Sequence, residues 1–230
     1  MRIFKNILFL SIVLSAQQTL FAQTTIIPDT TFIERDTVNG NYHAIFIDTA
    51  KSSLYYDYIN SFQFDETDSA SYQSSVDCLK PFSYINNDIF GLPKRWLTLN
   101  IYKGNYYLYS PSDYINNYRV AITDSNYIGY YNEGAQATKI NSITETNQKT
   151  YRLELSNCNN TTAELFIHLV DPQRGIAVFE FPYVTIEGRY ILMVDADKAK
   201  NFPIIVNYGT VKFTEFKFEY PNFDLLLKDH

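Results

Sequence analysis

The feature that most constrains the fold is a regular succession of short alternating segments between residues 96 and 195. These segments are rich in aromatic and β-branched residues, and turn-forming residues such as Lys103-Gly104 and Asp171-Pro172 separate them. The segments are 96–102, 106–110, 118–124, 127–132, 138–144, 151–156, 163–170, 175–181 and 189–195. Strands of about six residues at spacings of roughly ten to twelve predict a mostly β fold, either an antiparallel up-and-down barrel or a sandwich.

The two flanks of this region follow different patterns. Residues 23–92 predict an extended arm over 23–40, one strand over 42–48 and short helices, which pack on a main β domain over 93–230. Helical spacing relates Leu54, Tyr55, Tyr58, Ile59 and Phe62, with Asp48 placed as a cap, and a second helix is expected from Asp68 to Leu79. Near the C-terminus, 204–208 and 211–220 read as strands, the latter with a bulge at Thr214-Glu215.

The first 22 residues are typical of a secretory signal peptide. A basic start with Arg2 and Lys5 precedes the apolar run 7–16, and small Ala22 marks the expected cleavage site. The apolar run has about half of the ~20 residues that a helix needs to cross a bilayer, so no membrane span is expected after cleavage. The Ala22-Gln23 junction resembles those of proteins secreted by Gram-negative bacteria. We therefore expect a secreted or periplasmic protein.

The charge of the chain disfavours nucleic acid as a partner. Cleavage after Ala22 removes Arg2 and Lys5 and no acidic residue, so the net charge changes from −6 to −8. An acidic chain repels phosphate backbones and anionic membrane surfaces.

Two cysteines, Cys78 and Cys158, remain in the mature chain. In an oxidising compartment they can pair and close a loop of 80 residues, or they can be two unrelated buried thiols. The sequence leaves both alternatives open.

The aromatic segment KGNYYLYSPSDY (103–114) suggests a binding surface. A two-residue turn at Lys103-Gly104 predicts that Tyr102 pairs with Asn105 and Ile101 with Tyr106, and the same register sets Leu99 opposite Leu108 and Thr98 opposite Tyr109. One polar-aromatic face then carries the candidate ligand-binding residues Trp96, Tyr107 and Tyr109, with Tyr127 and Tyr131 as additions from a nearby strand.

Three interpretations of this face stay open. It can line a barrel interior that holds a small apolar ligand, it can form an exposed platform for glycan or protein, or it can be cross-strand packing that stabilises the sheet. A Trp at the start of a meander of short antiparallel strands, over roughly 91–208, resembles the lipocalin-like (calycin) class. The family has one residue between its Gly and Trp, whereas Gly91 and Trp96 lie five positions apart. The resemblance implies a cavity for a small apolar or amphipathic ligand and no catalysis.

Motifs for catalysis, metals and cofactors do not occur in the sequence. His43 and His168 lie in apolar strands, His230 is terminal, and nucleotide-binding glycine motifs and zinc-type spacings do not occur. A carboxylate-based enzyme is the third hypothesis; its most suggestive residue, Glu180 between two phenylalanines, is interpreted as an outward-facing side chain. Asp195 and Asp197 are expected to begin a short helix rather than to bind calcium.

Four tripeptides in the N-terminal part resemble an O-glycan attachment motif of some Gram-negative secretory systems, in which Asp precedes Ser or Thr and a small or aliphatic residue. The acceptors would be Thr30, Thr37, Thr49 and Ser69. Asp-Thr and Asp-Ser are also ordinary cap and turn pairs, so both interpretations stand.

Overall fold

The computed structural model describes residues 30–38, 40–113, 117–184, 186–211 and 214–228. Its strands are β1 (Thr30–Val38), β2 (Asn41–Asp48), β3 (Arg95–Thr98), β4 (Asn100–Tyr102), β5 (Asn105–Ser110), β6 (Arg119–Ile122), β7 (Asn126–Tyr131), β8 (Gly134–Asn147), β9 (Thr150–Ser156), β10 (Thr162–Asp171), β11 (Ile176–Glu180), β12 (Tyr190–Asp195) and β13 (Ile204–Gly209). Its helices are α1 (Leu54–Ile59), α2 (Glu66–Leu79), α3 (Ile186–Arg189), a 3₁₀ helix (Ala196–Asn201) and α4 (Phe223–Leu226). The expected signal peptide lies outside the described residues.

Eight strands form a closed antiparallel barrel, which confirms the predicted fold class. They follow the chain around the barrel in the order β3, β6, β7, β8, β9, β10, β11 and β12, and β12 closes the ring by pairing with β3. Closure pairs every barrel strand on both sides, so the barrel presents no open edge.

Side chains fill the interior of the barrel. Trp96 is completely buried, its ring lies 5.2 Å from that of Phe179, and its indole N–H donates to the carbonyl of Pro93 (2.7 Å). Around this pair pack the other members of the barrel core: Leu92, Val120, Ile122, Tyr127, Ile140, Ile143, Tyr151, Leu153, Leu155, Leu165, Ile167, Ala177 and Met193. At about 25 cal/mol per Å² of buried apolar surface, this core makes a large contribution to stability.

A second sheet, in the order β1-β2-β13-β5-β4, packs on the outside of the barrel. Its pairs are antiparallel except β5 and β13, which run parallel. A second cluster joins it to the outer faces of β3, β11 and β12 and to α1, with Leu97, Leu108, Val178 and Ile204 among its buried members. The predicted antiparallel domain thus contains one parallel pair.

The segment 96–102, expected as one strand, divides between the two sheets at Leu99. The backbone N–H of Leu99 donates to Leu192 of the barrel (2.9 Å), and beyond it Asn100 pairs with Tyr107 in the second sheet. The hairpin register is as predicted, with Ile101 opposite Tyr106. Lys103 and Gly104 both have positive φ (49° and 70°), the geometry of a type I′ turn. Because the strand changes sheets at Leu99, pairing between β4 and β5 stops at Asn100 and Tyr107, and the predicted pairs Leu99–Leu108 and Thr98–Tyr109 do not form. On the other edge of β5, Leu108 pairs with Ile204 of β13.

The N-terminal part holds two strands rather than one. The predicted arm includes β1, which pairs antiparallel with β2 from Thr30 to Val38. Helix α1 begins at a cap made by Ser53, not by Asp48, and α2 begins at Asp65, whose side chain accepts from the N–H of Asp68. Helix α2 covers the outside of the barrel beside β8 and is joined to the β9–β10 turn by the Cys78–Cys158 disulfide (Cα–Cα 5.4 Å).

The C-terminal segment, defined here as residues 214–228, does not continue the sheet as a strand. The expected strand over 211–220 is wrong for the described residues: its strand-type pairing with the sheet is a single bridge between Ile101 and Glu219. Instead, Phe216 packs on Tyr102 (5.2 Å) and Phe218 on Tyr109 (5.0 Å). Aromatic packing thus holds the segment against the outer face of the second sheet. None of the helices in the described parts of the chain is long and apolar enough to span a membrane.

Candidate functional site

The five residues predicted to form one aromatic wall lie in two places. Trp96, Tyr127 and Tyr131 are on barrel strands, whereas Tyr107 and Tyr109 are on the second sheet. The change of sheet at Leu99 separates Trp96 from the tyrosines that follow it. The structure therefore does not bring these residues together as one surface.

The barrel tyrosines form a hydrogen-bonded cluster with Tyr118. The hydroxyls of Tyr118 and Tyr127 are 2.6 Å apart, and the rings of Tyr118 and Tyr131 are 5.4 Å apart. Gly129 makes room for them, because a Cβ there would overlap the ring of Tyr131. Burial is the main cause that raises the pKa of Tyr118, Tyr127 and Tyr131. The neighbouring phenols add to this effect on the pKa at Tyr118, whereas the hydrogen bond with Tyr118 opposes it at Tyr127 and Tyr131. Tyr127 belongs to the barrel core and Tyr118 packs against it, whereas Tyr131, at the end of the same strand as Tyr127, is 48% exposed.

Tyr107 and Tyr109 face the C-terminal segment. The hydroxyl of Tyr109 donates to the carboxylate of Glu215 and accepts from the N–H of Phe216 (2.9 Å) and the amide of Asn207 (3.1 Å). Burial and the Glu215 carboxylate raise the pKa of Tyr109 well above its ordinary value. The ring of Tyr107 lies 6.1 Å from that of Tyr102. Tyr109 therefore anchors a neighbouring segment of the chain.

A different set of tyrosines lines an open pocket, here called the tyrosine pocket, with a volume of about 320 Å³. Its lining residues come from α1, the end of β5 and the second half of β13: Leu54, Tyr55, Tyr58, Ser110, Pro111, Ser112, Val206, Asn207, Tyr208 and Gly209. Small-ligand sites occupy roughly 300–1,000 Å³, so this pocket is at the lower end of that range.

The pocket exists because two parallel strands part. Pairing between β5 and β13 ends at Ser110 and Val206, and β13 continues beside β2 to Gly209. Pro111 follows Ser110 and has no N–H with which to extend the pairing. The gap left beside the end of β13 is closed on its other side by α1.

The walls of the pocket expose apolar and aromatic side chains to solvent. Leu54 is 80% exposed, Tyr58 42% and Tyr208 45%. Tyr55 is more enclosed, and burial, with Tyr208 and Asp48 nearby, raises its pKa. Among the described lining residues none carries a charge, so the surface consists of neutral phenols, hydroxyls and apolar groups.

Helical spacing related Leu54, Tyr55, Tyr58 and Ile59 in the sequence but did not identify a pocket there. In the structure, Tyr56 and Ile59 are the buried residues of α1. The hydroxyl of Tyr56 donates to the carbonyl of Phe202, which fixes the rotation of this six-residue helix. The sequence signal for this pocket wall is the four-residue spacing of Leu54 and Tyr58, which places both on one face of a helix. The same spacing is typical of a buried apolar face and of an exposed one.

Two polar clusters lie on the outside of the barrel. One joins Arg152, Glu164 and Tyr183, whose hydroxyl donates to Glu164 (3.1 Å), beside a pocket of about 310 Å³ that Glu154 also lines. Arg152 contacts both carboxylates, since its guanidinium also lies 3.9 Å from Glu154. One guanidinium thus faces two carboxylates, which leaves this cluster with a net charge of −1.

The second cluster contains Glu180, which faces outward from the barrel as expected. Its carboxylate accepts from Arg189 (2.6 Å) and lies 3.2 Å from His168. Burial raises the pKa of Glu180, but the hydrogen bonds from Arg189 and His168 outweigh it and leave the pKa below its ordinary value. A low pKa suits a structural ion pair rather than a general acid.

The remaining candidates for metal or catalytic chemistry are the acidic, histidine and cysteine side chains elsewhere in the described structure. Within the described ranges, no group of three or more His, Cys, Asp and Glu side chains is arranged to hold a metal ion. His43 is used inside the second sheet, where its Nε2 lies 2.7 Å from the amide oxygen of Asn207. Asp195 caps the 3₁₀ helix as the sequence suggested, by accepting from the N–H of Asp197 (3.0 Å).

The expected O-glycan acceptors lie at the surface or in β1. Thr37, Thr49 and Ser69 are exposed and Thr30 is half-buried. Two of the preceding aspartates make local bonds, Asp36 with the N–H of Thr37 (2.6 Å) and Asp48 with that of Ala50 (2.9 Å). Turn formation and modification remain compatible at these sites.

Comparison with known proteins adds no assignment. A scan against protein-family models, a search of curated proteins and a search of solved structures each found no match. The interpretation of the site therefore depends on its geometry.

Proposed function

We propose that this protein is a non-catalytic recognition module that binds a neutral glycan in the tyrosine pocket. The observation that carries the proposal is the pocket itself: an open concavity of about 320 Å³ whose walls expose Tyr58 and Tyr208. The proposal uses the outside of the barrel because the barrel core, with Trp96 at its centre, already occupies the interior.

The chemistry of the lining fits a sugar ring. A pyranose has flat C–H faces and a rim of hydroxyls. A tyrosine offers an apolar ring face and a hydroxyl that both donates and accepts. Ser110 and Ser112 add further groups of the same kind at the β5 end of the pocket. Without charged side chains among the described lining residues, an acidic or amino sugar would lose its hydration and gain no partner.

The setting we propose is outside the cytoplasm. The N-terminal sequence is typical of a signal peptide, and a Cys78–Cys158 disulfide suits an oxidising compartment. A module released into the periplasm or to the cell surface meets polysaccharides there.

Affinity electrophoresis in native gels tests the proposal. Gels containing a neutral polysaccharide, such as a β-glucan, a galactomannan or starch, should retard the mature protein, and a gel containing acidic pectin should not. Tyr58→Ala and Tyr208→Ala should each weaken binding about tenfold, or ~1.4 kcal/mol, as expected for truncation of an aromatic anchor.

Tyr183→Ala is the matched control, since Tyr183 is 77% exposed but lies on the outside of the barrel beside the other pocket. Its retardation should equal that of the wild type. Binding that survives both pocket substitutions, or disappears with Tyr183, would place recognition elsewhere, and no retardation in any neutral gel would reject the glycan proposal.

A further inference from the structure

The carboxylate of Glu215 is a junction between the C-terminal segment and the second sheet. It accepts from the hydroxyls of Tyr109 and Ser112 (3.0 Å for Ser112), and from the backbone N–H groups of Ser112 (3.3 Å) and Asp113 (3.1 Å). The side-chain amide of Asn207 donates to it as well (3.2 Å). Because a carboxylate offers about four lone-pair sites, these five donors use its full acceptor capacity.

Two of the residues that Glu215 holds also line the tyrosine pocket. Ser112 forms part of the wall beyond β5, and Asn207 lies just after the point where β13 parts from β5 and continues beside β2. The chain leaves the sheet at Pro111, so strand pairing does not fix the backbone of Ser112 and Asp113 there. In the described structure their N–H groups are instead satisfied by Glu215.

The environment of Glu215 favours the ionised carboxylate. Burial raises its pKa, but the hydrogen bonds from Tyr109, from Ser112 and from the backbone of Asp113 outweigh burial and lower the pKa overall. Among the described residues, the titratable neighbours include Tyr109 on β5, Asp113 beyond β5, and His43 on β2, which reaches Glu215 through Asn207.

We propose that Glu215 is the positioning residue of the tyrosine pocket, which fixes the Ser112 wall by docking the C-terminal segment against it. The pocket is then a composite of α1, the second sheet and a segment that does not itself line it. Loss of the carboxylate releases the wall without unfolding the barrel. The inference rests on the proposed function for its binding readout and has a second readout that needs no ligand.

Glu215→Gln is the direct test. It keeps the shape of the side chain but replaces one acceptor oxygen by an –NH₂ group, which cannot accept hydrogen bonds from the surrounding donors. Amide hydrogen exchange in the peptide that contains Ser112 and Asp113 should accelerate about tenfold, while barrel strands keep their protection. Glu219→Gln is the matched control: it makes the same charge change on the same segment, but Glu219 binds the N–H groups of Lys103 and Gly104 at the β4–β5 turn.

A pH profile separates positioning from general destabilisation. After correction for intrinsic exchange, the wild-type Ser112 peptide should lose protection as the pH falls through the pKa of Glu215. The Glu215→Gln protein should show the same fast exchange throughout. In a double-mutant cycle, Ser112→Ala and Glu215→Gln should lower polysaccharide affinity non-additively, since both break one contact.

The outcomes distinguish the two proposals. Wild-type binding with unchanged exchange and affinity in Glu215→Gln overturns the inference and leaves the glycan proposal standing. No wild-type binding, together with faster exchange at Ser112 in Glu215→Gln only, rejects the glycan proposal and supports the positioning role. Equal acceleration in Glu215→Gln and Glu219→Gln contradicts the inference, because any loosening of the segment would then suffice.

Discussion

The barrel core and the tyrosine pocket are built from the same kinds of aromatic residue, but in opposite surroundings. In the barrel, Trp96 and Tyr127 are enclosed on all sides and satisfy their polar atoms on Pro93 and Tyr118. In the pocket, Tyr58 and Tyr208 leave nearly half of their surface in water. Ring content alone therefore says little about function; what matters is whether other parts of the chain cover the ring.

Substitution of Trp96 is the most direct test of the contrast between the enclosed barrel core and the exposed tyrosine pocket. Trp96→Ala should lower the free energy of unfolding by about 3–5 kcal/mol, because it leaves a cavity in a closed core and removes the bond to Pro93. Tyr208→Ala should change it by only about 0.5 kcal/mol, as for other exposed positions. Urea unfolding followed by circular dichroism measures both.

Trp96→Phe provides a milder variant if the alanine protein does not fold, and its loss should fall between the other two. A Trp96→Ala protein as stable as the wild type would show that the barrel interior tolerates a void. In that case an interior ligand site would again be the better hypothesis.

The disulfide provides a second test of this contrast, because it joins elements of the barrel and not of the tyrosine pocket. It spans 80 residues and joins α2 to the β9–β10 turn. Replacing both Cys78 and Cys158 by Ser should cost about 2–4 kcal/mol, since a long loop is released in the unfolded chain. Polysaccharide retardation should be unchanged under conditions where the variant stays folded.

The control is the wild type with and without reductant, which should reproduce the stability difference in thermal unfolding. A loss of binding in the folded double-serine variant would contradict the separation between barrel and pocket. It would mean that α2 and the β9–β10 turn support the second sheet over a longer range.

Much of the barrel was predictable because its signals are local. Alternation at strand spacing located β5 to β13. Lys103-Gly104 fixed the β4–β5 register, since a type I′ turn, with positive φ at both central positions, matches the twist of a two-residue hairpin. Strand β1 was not predicted because its polar and charged side chains do not show the alternation of buried and exposed positions that indicates a strand.

The site was less predictable because it depends on contacts between distant residues. The alternating pattern of 96–102 is the same whether the strand stays in one sheet or changes sheets at Leu99. The parallel contact of β5 with β13 joins residues about a hundred positions apart, such as Tyr109 and Ile205. The pocket also requires the rotation of α1 that the bond from Tyr56 to Phe202 sets. None of these leaves a periodic signal in the sequence.

Acid gives the smallest expected effect on stability, and it acts on a different carboxylate in each of the two regions. Glu180 on the barrel and Glu215 beside the pocket both have pKa values below the ordinary value. Each therefore contributes stability that is fully present above the ordinary glutamate pKa of about 4.3 and is lost as the pH falls through the lowered value. For the partly exposed Glu180–Arg189 pair this amounts to about 1 kcal/mol or less.

Acid titration followed at two places tests the assignment. Trp96 fluorescence reports on the barrel, and hydrogen exchange at Ser112 reports on the pocket wall. Glu180→Gln should flatten the acid dependence of barrel unfolding and leave exchange at Ser112 as in the wild type, because its partners His168 and Arg189 lie on β10 and directly before β12 of the barrel. Glu215→Gln should do the reverse. If either substitution changed both readouts equally, the barrel and the pocket would be one cooperative unit, and the contrast between enclosed and exposed aromatic residues would describe surface exposure only.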